Sequence, residues 1–181
     1  PVRYDEDRDA LWKAIEEGII RTVGSDHVPR ALDVKQGGGG FATMKAGFPG
    51  TENILPLLLT EGYRARGVDL GRIAGLFSTN AARAFGLYPQ KGSLLPGSDA
   101  DLTLVDLSAE RVVSAAASPG ASGWSVYEGR RLVGWPVATL VRGATAEPAG
   151  GIPAQAGPGR YLRRSWVQLS GPDARDPAPR I

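Results

Sequence analysis

A carboxylate and an imidazole stand side by side in Gly24-Ser25-Asp26-His27, directly after the apolar run 19–23. Both groups bind divalent metals, and both can move a proton. The chain has one histidine and no cysteine, so a metal site could use only oxygen and imidazole nitrogen. The spacing alone leaves two interpretations of Asp26: a metal-binding carboxylate that moves a proton, or a residue that caps a loop or pairs with an arginine.

His27 also has two interpretations. It can support the ligands of a metal or touch a substrate, or it can be a packed histidine whose ring hydrogen bonds are satisfied. A position beside Asp26 does not by itself make it a metal ligand. We expect His27 to lie behind the metal ligands as a support, or to be purely structural.

The elements around this pair follow the order of an α/β barrel. Residues 5–17 are predicted to form a helix that Asp5 caps, with Gly18 in the left-handed position after it. The run 19–23 is short, β-branched and apolar, which favours a buried parallel strand. Polar residues at the carboxyl end of such a strand lie at the rim where barrel enzymes build their active sites.

Glycine and proline dominate residues 33–50, which are predicted to form a loop. Its length favours a substrate-side loop or a flap over a simple connection. The run Gly37 to Gly40 is not a phosphate-binding loop, because it lacks the Lys-Ser/Thr pair and the preceding strand of that motif.

Three helices are predicted further along the chain. The first contains Leu55 to Gly62, and Asp69 caps the second. The second is expected to bury one face, made of Leu70, Ile73, Ala74 and Phe77. The third begins at Ser78-Thr79-Asn80 and ends at Gly86.

After Tyr88 the pattern is that of a small all-β unit, with strands predicted within 100–107, 112–113, 131–133 and 137–142. The acids of Gly97-Ser98-Asp99-Ala100-Asp101 lack the longer ligand series of a calcium loop, so this segment is interpreted as a structural turn. The aromatic side chains of this unit are interpreted as core or interface residues. Residues 170–181 are predicted to be disordered or docked only in an assembly.

Three segments resemble the cyclic amidases of the amidohydrolase superfamily, which include dihydropyrimidinases, hydantoinases, allantoinases and dihydroorotases. TVGSDHVP is similar to the last barrel strand with its metal-ligand Asp. GFPGTENILPLLLTEG is similar to the loop and helix that follow. STNAARAFGLYPQKGSLLPGSDADLTLVD is similar to the exit from the barrel into a small β-sandwich, and YEGRRLVGWPVATLVRG and GRYLRR extend the similarity.

The resemblance implies an α/β fold: the C-terminal part of a TIM-like (β/α)8 barrel over residues 1–88, then a β-sandwich subdomain over 89–144. Residues 145–181 would be a Gly/Pro-rich tail. The chain would thus belong to a longer polypeptide, called here the parent polypeptide.

The resemblance also implies a function, the opening of a hydantoin or dihydropyrimidine ring by metal-activated water. Asp26 would be both metal ligand and proton shuttle. Relatives hold two divalent ions, usually zinc, with a His-x-His pair, a carboxylated lysine and two further histidines. These ligands are absent here because His27 is the sole histidine. The chain is therefore expected to be inactive alone.

Ala46 and Gly47 are the candidate substrate-binding residues. A cyclic amide presents C=O and N–H groups that a main chain can match, and glycine allows a close approach. Relatives often have Asn where this chain has Ala46, and a main-chain contact would survive that change. The alternative is an ordinary Gly/Pro turn.

Other functions stay open at this point. Allantoinase and dihydroorotase share the same chemistry. A non-catalytic assembly protein related to dihydropyrimidinase is the alternative from another class, and a truncated product without activity is a third.

The composition narrows the partners. Lysine and arginine number 21 against 19 acids, a net charge of +2, and the basic residues are scattered except for Arg160, Arg163 and Arg164. No nucleic-acid partner is therefore predicted. No membrane span is predicted either. The resemblance implies a cytoplasmic homo-oligomer, often a tetramer, that acts on a small cyclic amide.

Expressed alone, residues 1–181 are expected to aggregate or to be poorly soluble. Without the remaining strands of a barrel, strand edges and apolar surface would be exposed to water. Size-exclusion chromatography and a thermal melt test this expectation. A monodisperse sample that melts cooperatively would contradict it.

Overall fold

Helix α1 spans Asp5–Glu16 in the computed structural model, which describes residues 4–146 and 160–164. Tyr4 occupies the N-cap, and its main-chain N–H donates to Asp7 Oδ2 at 3.3 Å. Asp5 is therefore the first helical residue, and the prediction that it caps the helix was wrong by one position. The negative charge of its side chain still interacts favourably with the positive end of the helix dipole. Gly18, with φ of 76°, follows the helix in the predicted left-handed conformation.

The run 19–23 does not form the predicted strand. Ile19 is 71% exposed, so the run is not buried either. Helical residues hold it instead, because the N–H of Val23 donates to the Leu76 carbonyl and Asn80 Nδ2 donates to the Arg21 carbonyl. A parallel strand exists only through hydrogen bonds to neighbouring strands. No described residue pairs with this run as a strand.

The predicted loop 33–50 contains short helical structure. Helix α2 spans Leu32–Gln36, and a 3-10 turn covers Phe41–Thr43. The loop closes on itself, because Thr43 Oγ1 donates to the Gly37 carbonyl at 2.7 Å and the N–H of Lys45 donates to the Lys35 carbonyl at 2.9 Å. It is therefore a folded excursion rather than an open flap.

Two longer helical stretches follow. A 3-10 turn at Thr51–Asn53 leads into α3, Ile54–Leu57, which continues as a π-helical segment over Leu58–Arg64. The second stretch joins α4 to a further π-helical segment and α5, with bounds Leu70–Ala74, Gly75–Thr79 and Asn80–Ala84. Among the described residues, no helix is long and apolar enough to cross a membrane.

The caps of the second stretch agree with the sequence, but its buried face does not. Asp69 Oδ1 accepts hydrogen bonds from the main-chain N–H groups of Gly71 and Arg72, as predicted. Leu76 is 2% exposed, whereas Phe77 is 42% exposed and Ala74 is also exposed. Ile73 and Leu76, three residues apart, share the buried face, so the expected face was wrong at Ala74 and Phe77. The π-helical segment Gly75–Thr79 joins α4 to α5, so the third predicted helix has no separate start.

One antiparallel sheet of three strands, in the order β1-β2-β3, forms the β part, with bounds Leu102–Val112, Arg131–Val141 and Ala144–Ala146. The two strands predicted at 131–133 and 137–142 form one continuous strand. Pro136 lies within it, opposite Val105, where the register of β1 against β2 shifts between Leu104 and Val105. A shift of this kind tolerates a proline. The second sheet of a sandwich is not seen within the described residues.

The sheet packs on the π-helical segment Leu58–Arg64. An added Cβ at Gly134 would lie 2.8 Å from Leu59 Cδ1, so β2 touches the helix at a glycine. Thr60 Oγ1 donates to the Val133 carbonyl at 3.1 Å and accepts from the Val133 N–H at 2.8 Å. Val133 pairs with Glu110 of β1 on one edge, and these bonds take the place of a strand neighbour on its other edge and fix the sheet on the helix.

The central core is built around the same segment, Leu58–Arg64. Its buried members are Leu58, Leu59, Val68 and Ile73, and Trp12, Val23 and Val105 pack against them. On the α1 side, an added Cβ at Gly62 would lie 2.9 Å from Trp12 Cζ3. The segment therefore joins α1, α4 and the sheet.

The turn that contains Asp99 and Asp101 is structural. Lys91 Nζ lies 2.9 Å from Asp99 and also contacts Asp101, and the N–H of Arg142 donates to Asp101 at 2.8 Å. Hydrogen bonds from Lys91 hold the pKa of both carboxyl groups below their ordinary values. A lysine ammonium fills the place that a cation would need.

Glu61 carries an ion-pair network at the helix–sheet contact. Arg66 Nη1 lies 3.1 Å from Glu61 Oε2, and Arg130, which immediately precedes β2, pairs with Oε1. Burial raises the pKa of Glu61, but the hydrogen bonds from Arg66 and Arg130 outweigh burial and leave its pKa below the ordinary value.

Replacing Glu61 by Gln is expected to lower the free energy of unfolding of the parent polypeptide by about 1 kcal/mol, because charge-assisted hydrogen bonds are lost. Since the pKa of Glu61 is lowered from 4.5, the wild-type contribution is complete above that value and is lost as the pH falls below it. The melting midpoint of the variant should therefore depend less on pH in that range. Asp5→Asn is the control, because the Asp5–Arg8 pair is exposed. Equal pH dependence of the melting midpoint in wild type and Glu61→Gln would contradict the assignment.

Candidate functional site

Asp26 lies on an exposed turn in a conformation that is unusual for a residue with a side chain. Its φ is 45°, in the left-handed region, and its side chain is open to solvent. Aspartate tolerates this region better than most residues, and such backbone strain is common at functional sites. Ser25 Oγ accepts a hydrogen bond from the N–H of His27 at 3.2 Å, which closes the turn around Asp26.

His27 points its ring at the C-terminal end of residues 46–50, the candidate substrate loop. Nδ1 accepts hydrogen bonds from the N–H of Gly50 at 3.1 Å and from the N–H of Thr51 at 3.2 Å. Because Nδ1 accepts, the neutral ring carries its proton on Nε2. The structure thus places His27 as a tie between two segments.

The loop 46–50 lies directly against the residues after Asp26. His27 and Phe48 form an isolated parallel bridge, and the N–H of Val28 donates to the Phe48 carbonyl at 3.0 Å. Gly47 has φ of 114°, and an added Cβ would lie 2.5 Å from Val28 Cβ. Glycine at position 47 therefore serves a close approach of two backbones.

Two basic side chains hold the carbonyl groups of the candidate substrate loop. Arg30 Nε donates to the Ala46 carbonyl at 3.3 Å, and Lys35 Nζ donates to the Gly47 carbonyl at 2.8 Å. A carbonyl oxygen has two lone pairs, so each can still accept a further hydrogen bond. Ala46 itself is exposed.

An aromatic contact supports this loop from the connection between β1 and β2. Phe48 and Trp124 meet edge to face with their ring centroids 6.2 Å apart, and Lys35 Nζ lies 4.6 Å from the Phe48 centroid. Trp124 Nε1 donates to the Arg30 carbonyl at 2.7 Å. The interpretation of Trp124 as a packing residue is confirmed. The sequence does not predict the contacts of Trp124, because its partners Arg30 and Phe48 are far from it along the chain. The bond from Lys35 to the Gly47 carbonyl is not predicted by the sequence either.

A cleft of about 390 Å³ lies beside the site. Its walls come from α1, from the residues just before Asp26, from the loop and from the π-helical segment, and include Trp12, Val23, Ser25, Gly50 and Tyr127. Asp26 and His27 do not line it. The cleft is therefore not assigned to the chemistry of Asp26.

The donor set for a metal is incomplete within residues 4–146 and 160–164. No group of three or more histidine, cysteine or acidic side chains comes together there. Asp26 can offer one exposed carboxylate, whereas Nδ1 of His27 is engaged with Gly50 and Thr51. Within that part of the chain, the side chains that could bind a metal pair are therefore not assembled.

Comparison with known proteins links these residues to one family. The sequence model of the amidohydrolase family matches residues 3–145. The L-hydantoinase of Paenarthrobacter aurescens is 36% identical over 172 residues, which cover 94% of this chain and 37% of that protein. The allantoinase of Rubrobacter xylanophilus is 39% identical over 164 residues, which cover 90% of this chain and 35% of that protein.

Solved structures show the same relationship. The D-hydantoinase from Bacillus sp. AR9 superposes with a TM-score of 0.85 at 34% identity, over 91% of this chain and 36% of that chain. The dihydropyrimidinase from Brevibacillus agri gives a TM-score of 0.83 at 34% identity, with the same coverage. The chain spans little more than a third of the length of these proteins.

Replacing Gly47 by Ala is expected to push the loop 46–50 away from Val28, because the new methyl group would overlap Val28 Cβ. Limited trypsin digestion of the parent polypeptide should then cleave faster at Lys35 and Lys45. Gly38→Ala is a matched control, since Gly38 also has a positive φ but an added Cβ meets nothing within 4 Å. Equal cleavage rates at these lysines in the two variants would refute the close approach.

Proposed function

This chain belongs to the amidohydrolase family, and from that premise we propose that it is the C-terminal part of a metal-dependent enzyme that opens a cyclic amide. Hydantoin and dihydropyrimidine rings are the proposed substrates. The carrying observation is the exposed carboxylate of Asp26 on a strained turn that is tied to the loop of Ala46 and Gly47. The names of the hydantoinases and the allantoinase it resembles support this chemistry.

The proposed architecture is the one that the resemblance of the sequence implies. Residues 1–88 would complete a TIM-like barrel, residues 89–144 would belong to a β-sandwich, and residues 145–181 would form the tail. The run 19–23 supports this assignment, because it is apolar but has no strand partner within the described residues. In the parent polypeptide, neighbouring strands would complete the ladder on both of its edges.

Asp26 is proposed to contribute one ligand to a site of divalent ions, with two zinc ions as the expected occupants. When bound, such ions make water acidic enough to lose a proton near neutral pH. A carboxylate oxygen of Asp26 would take the proton from the attacking water and return it to the leaving amide nitrogen. The exposed position of the side chain leaves its oxygens accessible for both transfers.

Ala46 and Gly47 are proposed to orient the ring through their main chain. Arg30 and Lys35 hold the two carbonyl groups in place, so the loop is organised before substrate arrives. A ring N–H could donate to a free lone pair of either carbonyl. This recognition needs no particular side chain at position 46.

Allantoin is the second candidate substrate, because the allantoinase of Rubrobacter xylanophilus is 39% identical to this chain. Dihydroorotate remains a further ring within the same chemistry. A non-catalytic assembly protein is the alternative from another class, and the retained Asp26 argues against it. A homo-oligomer, with a tetramer as the expected form, is proposed from the resemblance alone.

Replacing Asp26 by Asn in the parent polypeptide is expected to nearly abolish ring opening, because the amide can neither take the proton nor bind the metal as strongly. Hydantoin, dihydrouracil, allantoin and dihydroorotate form the assay panel, with metal content measured in parallel. Asp33→Asn serves as the control, since Asp33 is an exposed acid in α2. Near-normal turnover in Asp26→Asn would refute the role of Asp26. If the wild-type parent polypeptide opened none of the rings, the assembly protein would be the better assignment.

A further inference from the structure

We propose that His27 is a positioning residue that fixes the candidate substrate loop relative to Asp26 through Nδ1, and that it is neither a metal ligand nor a proton donor. This inference rests on the proposed function for the role of the loop. The geometry of the tie itself stands on contacts within the described residues.

The N–H groups of Gly50 and Thr51, which donate to His27 Nδ1, lie at the start of a short helical turn. Gly50 is the N-cap of the 3-10 turn Thr51–Asn53, and as a glycine it has no side chain that could cap the turn. The first N–H groups of a helix have no partner within the helix. His27 Nδ1 takes the N–H groups of both Gly50 and Thr51, and so caps this helical start from a distant part of the chain.

The ring is one of several links between the same two segments, which include the bond from Arg30 Nε to the Ala46 carbonyl. The N–H of Val28 donates to the Phe48 carbonyl, and the main chain of Gly47 touches the side chain of Val28. His27 adds the link at Gly50 and Thr51, on the far side of Pro49. Links on both sides of Phe48 and Pro49 fix the orientation of the loop, where one link would leave it free to pivot.

The consequence for the site is geometric. Asp26 is bonded to His27 in the chain, and Ala46 and Gly47 immediately precede the segment that His27 and Val28 hold. The tie therefore sets the distance between the carboxylate and the main-chain groups proposed to hold the ring. Errors of about 1 Å in such a distance can cost a large part of the rate.

The role requires an acceptor at the Nδ1 position and nothing at the Nε2 position. Asparagine places its side-chain oxygen where Nδ1 lies, whereas glutamine reaches the place of Nε2 and leucine has no acceptor. His27→Asn, His27→Gln and His27→Leu in the parent polypeptide therefore form a matched set. Hydrogen exchange of the Gly50 and Thr51 amides is measured in each variant, together with metal content, kcat and KM.

In His27→Gln and His27→Leu, exchange of both amides is expected to rise about tenfold. KM should rise by about tenfold, with a smaller change in kcat and with metal retained. His27→Asn should restore slow exchange and most of the affinity for substrate. Recovery by asparagine separates positioning through Nδ1 from any role of Nε2.

Two results would overturn the inference. Equal amide exchange in all variants would show that the ring does not hold Gly50 and Thr51. Loss of metal or of kcat in His27→Asn, at unchanged exchange, would show that His27 acts on the metal or on the proton transfer. The exchange measurement needs no turnover. An inactive parent polypeptide would therefore count against the proposed function, while exchange would still decide whether His27 holds the segment.

Discussion

The close packing around the helix that runs from Ile54 to Arg64 is the constraint on which the rest of the structure depends. Two glycines set how near its neighbours come. At Gly134 the sheet touches Leu59, and at Gly62 the ring of Trp12 touches the helix. An added Cβ at either glycine would lie less than 3.0 Å from a side-chain atom of Leu59 or Trp12, so those neighbours would have to shift. The positions of α1 and the sheet therefore follow from this helix.

The same helix also determines where the candidate site lies. It begins at the 3-10 turn Thr51–Asn53, whose N–H groups reach His27, so the start of the helix is the anchor of the loop before it. The connection between β1 and β2 contributes from the other side, where Trp124 bonds to the Arg30 carbonyl and packs on Phe48. The residues after Asp26 are thus held by contacts from the loop, the helix and this connection, whereas the Asp26 side chain is exposed. This arrangement leaves the carboxylate accessible while the backbone around it is fixed.

The segment before Asp26 shows what the described residues lack. It is apolar and β-branched, but Ile19 is largely exposed and the run has no strand neighbour among the described residues. The described residues also bring together no group of three or more potential metal ligands. Both observations have one explanation under the proposed function. A barrel strand and a binuclear metal site are each shared between distant parts of a polypeptide, and a third of the length can supply only its own share.

The sequence by itself determined the features that depend on near neighbours in the chain. The cap at Asp69, the left-handed Gly18 and the turn at Gly86 are local, because each needs only a few adjacent residues to satisfy a helix end. The motif around Asp26 pointed to the family for the same reason, since its residue types and order are visible without a fold. Only the tertiary structure decided three other features. The run 19–23 is not a strand, and Leu76 is buried where Phe77 was expected. His27 and Lys35 bind main-chain groups of Gly50 and Gly47. These features depend on hydrogen bonds and packing between residues distant in sequence, which the spacing of neighbouring residues does not encode.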